Sequence, residues 1–248
     1  MLVQFHYLWL AIGFYTRLPT PGCLDYDELP KASCYLPLIG WLVGGVSAGC
    51  FYAFNLLWPH TVAVIVALVA GILLTGAFHE DGFADVCDGF GGGYDPQRIL
   101  DIMKDSRIGA YGVIGLFLML GLKIALLSAL PTLTVPSILI AGHSLSRFAP
   151  LLLMASYDYV RSQSKGRAAM YRPSYMELFA AGLTALLPLS FLPPKLYLAV
   201  PIILFVNGCL GRYFFRHIGG YTGDCLGASQ QIVETVFYLT ASALWTSI

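Results

Sequence analysis

Seven of the chain's 14 acidic residues, Glu80, Asp81, Asp85, Asp88, Asp95, Asp101 and Asp105, fall in one stretch, HEDGFADVCDGFGGGYDPQRILDIMKDSRIGAYG. Asp81, Asp85 and Asp88 stand at i, i+4 and i+7, the spacing that lines one face of a helix, expected to continue from the second apolar run, at about 61–78. Asp101 and Asp105 repeat i, i+4 beyond the glycine-rich run 89–93, which is expected to turn a second acidic helix back toward the first. Stacked carboxylates repel one another, so such a face calls for a cation. A hard divalent ion such as Mg²⁺ takes oxygen ligands and is held by a few carboxylates together with substrate phosphates. No His/Cys arrangement of zinc type competes with it. The expected site is Mg²⁺ on Asp81, Asp85 and Asp88, with Glu80 and Asp101 as further ligands, serving transfer of a phosphate-linked or pyrophosphate-linked group. Removing one of three mutually repelling carboxylates is not expected to unfold the chain.

Positive charge for phosphates is offered by Lys104, Arg107 and the connection 158–175 with Arg161, Lys165, Arg167 and Arg172. The segment GGYTGDCLGASQQIVE puts Gly223 and Asp224 just before the last apolar run and Glu234 within it, and its glycines permit close backbone approach to a ligand. His143 and Arg147, one helical turn apart and accompanied by Ser144 and Ser146, form a polar patch inside another apolar run; charges at such depth face a cavity or a partner. Lys123, nearer the far end of its run, is expected to snorkel.

These groups need a scaffold, and the composition names its solvent. The chain has 248 residues, 57% of them hydrophobic and only 11% charged, with no net charge. A soluble domain carries roughly 25% charged residues, so a water-soluble globule, a disordered chain and a basic nucleic-acid binder are all excluded. The expectation is an all-α, polytopic helix bundle in a lipid bilayer, a single domain over 1–248. Apolar runs of spanning length lie at about 35–57, 61–78, 110–130, 134–157, 176–192, 196–215 and 227–245, which makes about seven spans. Residues 1–34 read as an interfacial or packed segment without a signal peptide's basic start, and 79–109 as the acidic motif. Eleven Lys/Arg (Arg17, Lys31, Arg98, Lys104, Arg107, Arg161, Lys165, Arg167, Arg172, Arg212 and Arg216) fall on the side of the N-terminus and the long connections, against Lys195 alone on the other. The N-terminus and the acidic motif are therefore expected in the cytoplasm. The six cysteines are scattered, with no metal or redox spacing.

The blocks FYTRLPTP, FHEDGFADVCDGFGGG, IMKDSRIGAYG and GGYTGDCLGASQ, in this order between Phe14 and Glu234, resemble the adenosylcobinamide-GDP ribazoletransferases, also called cobalamin-5′-phosphate synthases. The resemblance implies an inner-membrane enzyme that requires Mg²⁺. It would join adenosylcobinamide-GDP to α-ribazole or its 5′-phosphate, releasing GMP, with the active site facing the cytoplasm. It implies that Asp105, with Asp101 or Glu80 behind it, completes the metal site or deprotonates the attacking hydroxyl, and that Lys104 and Arg107 contact phosphates. Asp224 joins these as a catalytic candidate, and His79, Gly89, Arg147, Gly223 and Glu234 as candidates for substrate binding. Homo-oligomerisation and association with other corrinoid-assembly enzymes stay open. The acidic pattern is also similar to that of CDP-alcohol phosphotransferases of lipid synthesis, but no Ala-Arg follows Gly89 and the spacing from Asp88 to Asp101 is shorter. A prenyltransferase would want a second Asp-rich loop where 158–175 is basic, and a transporter would want midplane acids and internal repeats.

Overall fold

The computed structural model describes residues 2–22, 25–161 and 170–246, and among these the regular elements are helical. In chain order the α-helices are α1 (Leu2–Tyr15), α2 (Leu29–Ala32), α3 (Leu36–Asn55), α4 (His60–Thr75), α5 (Phe78–Gly92), α6 (Pro96–Ile102), α7 (Ala110–Ser128), α8 (Val135–Ser146), α9 (Ala149–Ser156), α10 (Tyr175–Leu186), α11 (Ala199–Ile218) and α12 (Gly223–Thr246). Residues Leu187–Phe191 and Pro194–Leu198 are 3₁₀ turns. Large apolar side chains such as Leu73, Phe117, Phe191 and Phe205 point outward, as a bilayer solvent allows. The protein is a polytopic membrane helix bundle.

Four helical stretches among the described residues, Leu29–Asn55, Ala110–Ser128, Val135–Ser156 and Pro194–Ile218, are long and apolar enough to cross a membrane; a fifth counts if α4 and α5 form one broken span. The runs expected at 176–192 and 227–245 are helices but do not meet that measure. Tyr175–Phe191 is short. Helix α12 spends its inner face on polar residues, including Gln230, Gln231 and Glu234.

The acidic helix does not continue the second span, as its spacing had implied. Gly76 ends α4 in the left-handed region, Ala77 follows it there, and the Ala77 N–H reaches back to the Ile72 carbonyl at 2.9 Å. Helix α5 then sets off at 91° to α4. A Cβ at Gly76 would collide with the Arg17 guanidinium, which lies against this turn, while Phe14 and Tyr15 meet Phe78 edge-on. The glycine-rich run is helical through Gly92 rather than a turn. The second acidic helix is only the seven residues of α6 and ends before Asp105.

Two apolar clusters make up the core. One gathers Phe51, Val64, Leu127, Leu139 and Phe237; the other gathers Leu10, Ile39, Val86, Leu151 and Phe214. Along α12 the buried Gln230 and Gln231 fall between Ala228 of the second cluster and Val233 of the first, while the buried His143, Arg147 and Glu234 are interleaved with members of the first.

Candidate active site

The α5 carboxylates meet the start of α12. Close packing makes this possible: a Cβ at Gly82 would stand 3.0 Å from the Asp224 Cα, and one at Gly227 would stand 3.1 Å from the His79 carbonyl oxygen. Asp81 is exposed, Asp85 half-buried and Asp88 buried. Arg161 reaches Asp224, its Nη2 2.7 Å from Oδ2. The two connections that carry this pair are clipped together, since Val160 N–H donates to the Tyr221 carbonyl at 3.0 Å and Tyr221 N–H to the Asp158 carbonyl at 3.1 Å. Asp85, on a helix that lies across the direction of the spans, feels burial and the carboxylates of Asp224, Asp81 and Asp88 against the single Arg161 guanidinium. Its carboxyl is pushed up to about 7. Among the described residues no three His, Cys, Asp or Glu side chains converge into a complete ligand set.

Asp88 has a second commitment. Gly109 is the N-cap of α7 and has no side chain to cap with. Asp88 supplies the cap from α5, its two oxygens accepting from the Gly109 N–H at 2.7 Å and the Gly112 N–H at 2.8 Å. A Cβ on either glycine would collide with this carboxylate. The glycines of IGAYG are thereby explained by an aspartate more than 20 residues earlier.

Behind the acidic face lies a buried polar network. Lys123 is 2% exposed and does not snorkel; its ammonium donates to Gln231 Oε1 at 2.6 Å and pairs with Glu234 Oε1 at 2.7 Å. The ion pair and a polar partner across the bundle hold it inside, where a lone ammonium would not stay. Glu234 Oε2 accepts from Gln230 Nε2 at 2.6 Å and lies 3.2 Å from His143 Nδ1, and Arg147 Nη1 lies 3.0 Å from the same His143 nitrogen. Gln231 Nε2 donates to Glu80 Oε1 at 2.9 Å. His79 is buried on the same side of α5, with Nδ1 unpartnered among the described residues. Glu80, Arg147 and Glu234 are thus brought together, away from Asp81 and Asp85. Lys123 and Gln231 were missed as site residues because their partners lie far away in sequence, as does Ser146, to whose Oγ Gln230 donates at 2.9 Å besides its neighbour Glu234.

The remaining candidates lie elsewhere. Asp101 is exposed and accepts from Gln97 Nε2 at 2.9 Å. Lys104 is exposed, and Asp105 pairs with Arg107 at 2.7 Å, which holds its carboxyl down to about 2. Gly89 packs under α6, where a Cβ would collide with Met103, and Gly223 opens α12 with free space around it. Arg172 Nε donates to the Ala155 carbonyl at 3.2 Å. Lys165 and Arg167 lie outside the described residues, as does Cys23.

The model of the cobalamin-5-phosphate synthase family matches residues 7–242, a range that takes in α5, the Gly109–Gly112 start of α7 and the polar stretch of α12. The chain belongs to the cobalamin-5-phosphate synthase family. Like other members it is a transferase, and its similarity to them extends over nearly its whole length. It is 43% identical to the adenosylcobinamide-GDP ribazoletransferase of Ralstonia pickettii (strain 12J), across 92% of this chain and 91% of that protein. It is 44% identical to the enzyme of the same name from Shewanella amazonensis, across 96% of this chain and 95% of that protein. No solved structure matches it.

Proposed function

We propose that this transferase takes adenosylcobinamide-GDP as donor and α-ribazole or its 5′-phosphate as acceptor, releasing GMP in a late step of cobalamin assembly. The observation that carries the reading is the α5–α12 face, where Arg161 pairs with Asp224 at 2.7 Å and acts on Asp85, and the carboxylates of Asp81 and Asp88 lie near enough to repel that of Asp85. A ribose hydroxyl attacks the phosphate on the corrinoid side chain, a new P–O bond forms, and the bridging P–O bond breaks with its electron pair leaving on GMP. Asp224 is the carboxylate we assign to accept the hydroxyl proton. Asp105 is poorly suited to that task, since Arg107 holds it down to about 2. Arg161 offers charge to a phosphate oxygen.

The donor set fits Mg²⁺. It consists of hard carboxylate oxygens in mutual repulsion, too few to close a coordination sphere, which suits an ion that keeps positions for phosphate oxygens and water. Asp81 and Asp85 would hold it, with Asp88 at the edge of the same face. Bound there, Mg²⁺ would supply positive charge to the leaving phosphate.

The excess of Lys/Arg, eleven against one, supports a cytoplasmic N-terminus and active site and a place in the cell inner membrane. Purified protein in detergent, given adenosylcobinamide-GDP and α-ribazole, is expected to release GMP only when Mg²⁺ is present. Release of CMP from CDP-diacylglycerol, with no activity on the corrinoid, would overturn the reading in favour of a lipid-synthesis enzyme.

A further inference from the structure

Helix α5 leaves α4 through a sharp bend, so the span before it does not dictate how α5 is rolled about its own axis. Two polar anchors do. At its far end Asp88 is fixed to the start of α7. At its near end Glu80 is fixed to Gln231 of α12. The Gln231 amide has only one workable orientation. Lys123 is a donor alone, so it takes the amide oxygen, and the amide NH₂ is left facing Glu80. Lys123 in turn is held by Glu234, one turn further along α12. The chain Glu234–Lys123–Gln231–Glu80 therefore ties α7, α12 and α5 into one unit.

At 100° per residue Glu80 points about 100° away from Asp81 and about 140° away from Asp85, into the bundle rather than onto the exposed acidic face. With side chains reaching roughly 5–6 Å from the helix axis, a roll of about 20° moves a carboxylate by about 2 Å. Displacements of about 1 Å can cost roughly 100-fold in rate.

We propose that Glu80, Gln231 and Lys123 are positioning residues that set the roll of α5 and so aim Asp81 and Asp85 at the reacting phosphates. This rests on the reading of Asp81 and Asp85 as the carboxylates that serve phosphoryl transfer. It takes Glu80 out of the metal ligands, although it is the immediate neighbour of one.

The test exchanges the two groups. Gln231→Glu sets two carboxylates against each other and is expected to lower kcat by about 10-fold or more, whereas Glu80→Gln keeps an oxygen that accepts from the Gln231 amide and is expected to lose no more than about 3-fold. In the double variant Glu80→Gln/Gln231→Glu, an amide on α5 again donates to an oxygen on α12, and Lys123 keeps its acceptor. Its kcat is expected to recover to within about 3-fold of the unmodified enzyme, since the link is restored in the opposite direction and the relocated carboxylate stands beside the Lys123 ammonium. A double variant no more active than Gln231→Glu alone would overturn the proposal, because restoring the link would then restore nothing, and so would a Glu80→Gln enzyme that loses about 10-fold or more, because position 80 would then need its own carboxylate for chemistry. Should either single variant fail to fold, Gln231→Met removes both hydrogen bonds at nearly constant volume. Its Mg²⁺ requirement for half-maximal rate should rise several-fold with KM for α-ribazole unchanged, and unaltered kcat and Mg²⁺ response would equally overturn the proposal. An unmodified enzyme that ignores Mg²⁺ would count against the function proposed above, leaving the exchange result to decide the positioning role.

Discussion

The carboxylate of Asp88 bridges the backbone N–H groups of Gly109 and Gly112, 2.7 and 2.8 Å away, and so caps a transmembrane helix to which it does not belong. The expectation that any of the three α5 aspartates can be neutralised without harm to folding therefore changes for this one. Asp88→Asn turns an NH₂ group toward one of two backbone donors, and should cost about 1–3 kcal/mol of stability. Gly109→Ala and Gly112→Ala push a methyl into the carboxylate and should lower both melting temperature and activity. Asp85→Asn should behave in the opposite way, keeping the melting temperature while turnover falls by roughly 100-fold or more. Thermal unfolding in detergent beside GMP release separates the two. Equal melting temperatures for Asp88→Asn and Asp85→Asn would contradict the capping role.

The ion pair between Lys123 and Glu234 makes a second prediction. Both side chains are almost wholly buried, and removing Lys123 takes from Glu234 its ion-pair partner at 2.7 Å and leaves an excess of negative charge in the bundle. Lys123→Ala should destabilise the protein by about 3–5 kcal/mol, far beyond what loss of a snorkelling lysine would cost. Lys123→Ala/Glu234→Ala should be more stable than Lys123→Ala alone, as a double-mutant cycle on folded yield or melting temperature would record. Additive losses would mean that the two charges do not pair.

How far the sequence could be read follows from the range of each interaction. Apolar runs and punctuating prolines are local signals, and α3, α4, α7 and α11 lie close to where they were expected. The i, i+4, i+7 spacing of Asp81, Asp85 and Asp88 is equally local, and the helix is there. The bend before it was hidden because it depends on Ala77 taking a left-handed conformation that its residue type disfavours, stabilised by packing against Phe14, Tyr15 and Arg17. The cap on α7 joins residues 21 and 24 apart, and the Lys123–Glu234 pair joins residues 111 apart. No periodicity encodes such pairs, so Asp88 read only as a metal ligand and Lys123 only as a snorkelling charge.

Orientation is checked by chemistry at two exposed positions in connections between helices. Tyr94, just beyond α5, and Leu133, in the α7–α8 connection, are almost completely exposed. In a background without the native cysteines, Leu133→Cys should react with an impermeant thiol reagent in intact cells and Tyr94→Cys only after lysis, because the Lys/Arg excess lies on the Tyr94 side. The reverse pattern would move the acidic face to the outside and remove the cytoplasmic active site.

Arg161 and Asp224 allow a prediction that separates binding from chemistry. The guanidinium is the one cation set against the α5–α12 carboxylates among the groups that perturb Asp85, and it sits 2.7 Å from Asp224 on a connection clipped to the start of α12. Arg161→Ala takes away the charge we assign to a phosphate both before and during transfer, so KM for adenosylcobinamide-GDP should rise as well as kcat fall. Arg161→Lys keeps the charge but loses the planar fork, and should recover part of the KM effect and less of kcat. Asp224→Asn removes the proposed acceptor of the hydroxyl proton while preserving size and a hydrogen-bonding oxygen. It should lower kcat by about 100-fold or more with little change in KM for the corrinoid. An Asp224→Asn enzyme that keeps its kcat but loses affinity for the corrinoid would assign Asp224 to binding, and the proton acceptor would then have to be sought among the α5 carboxylates.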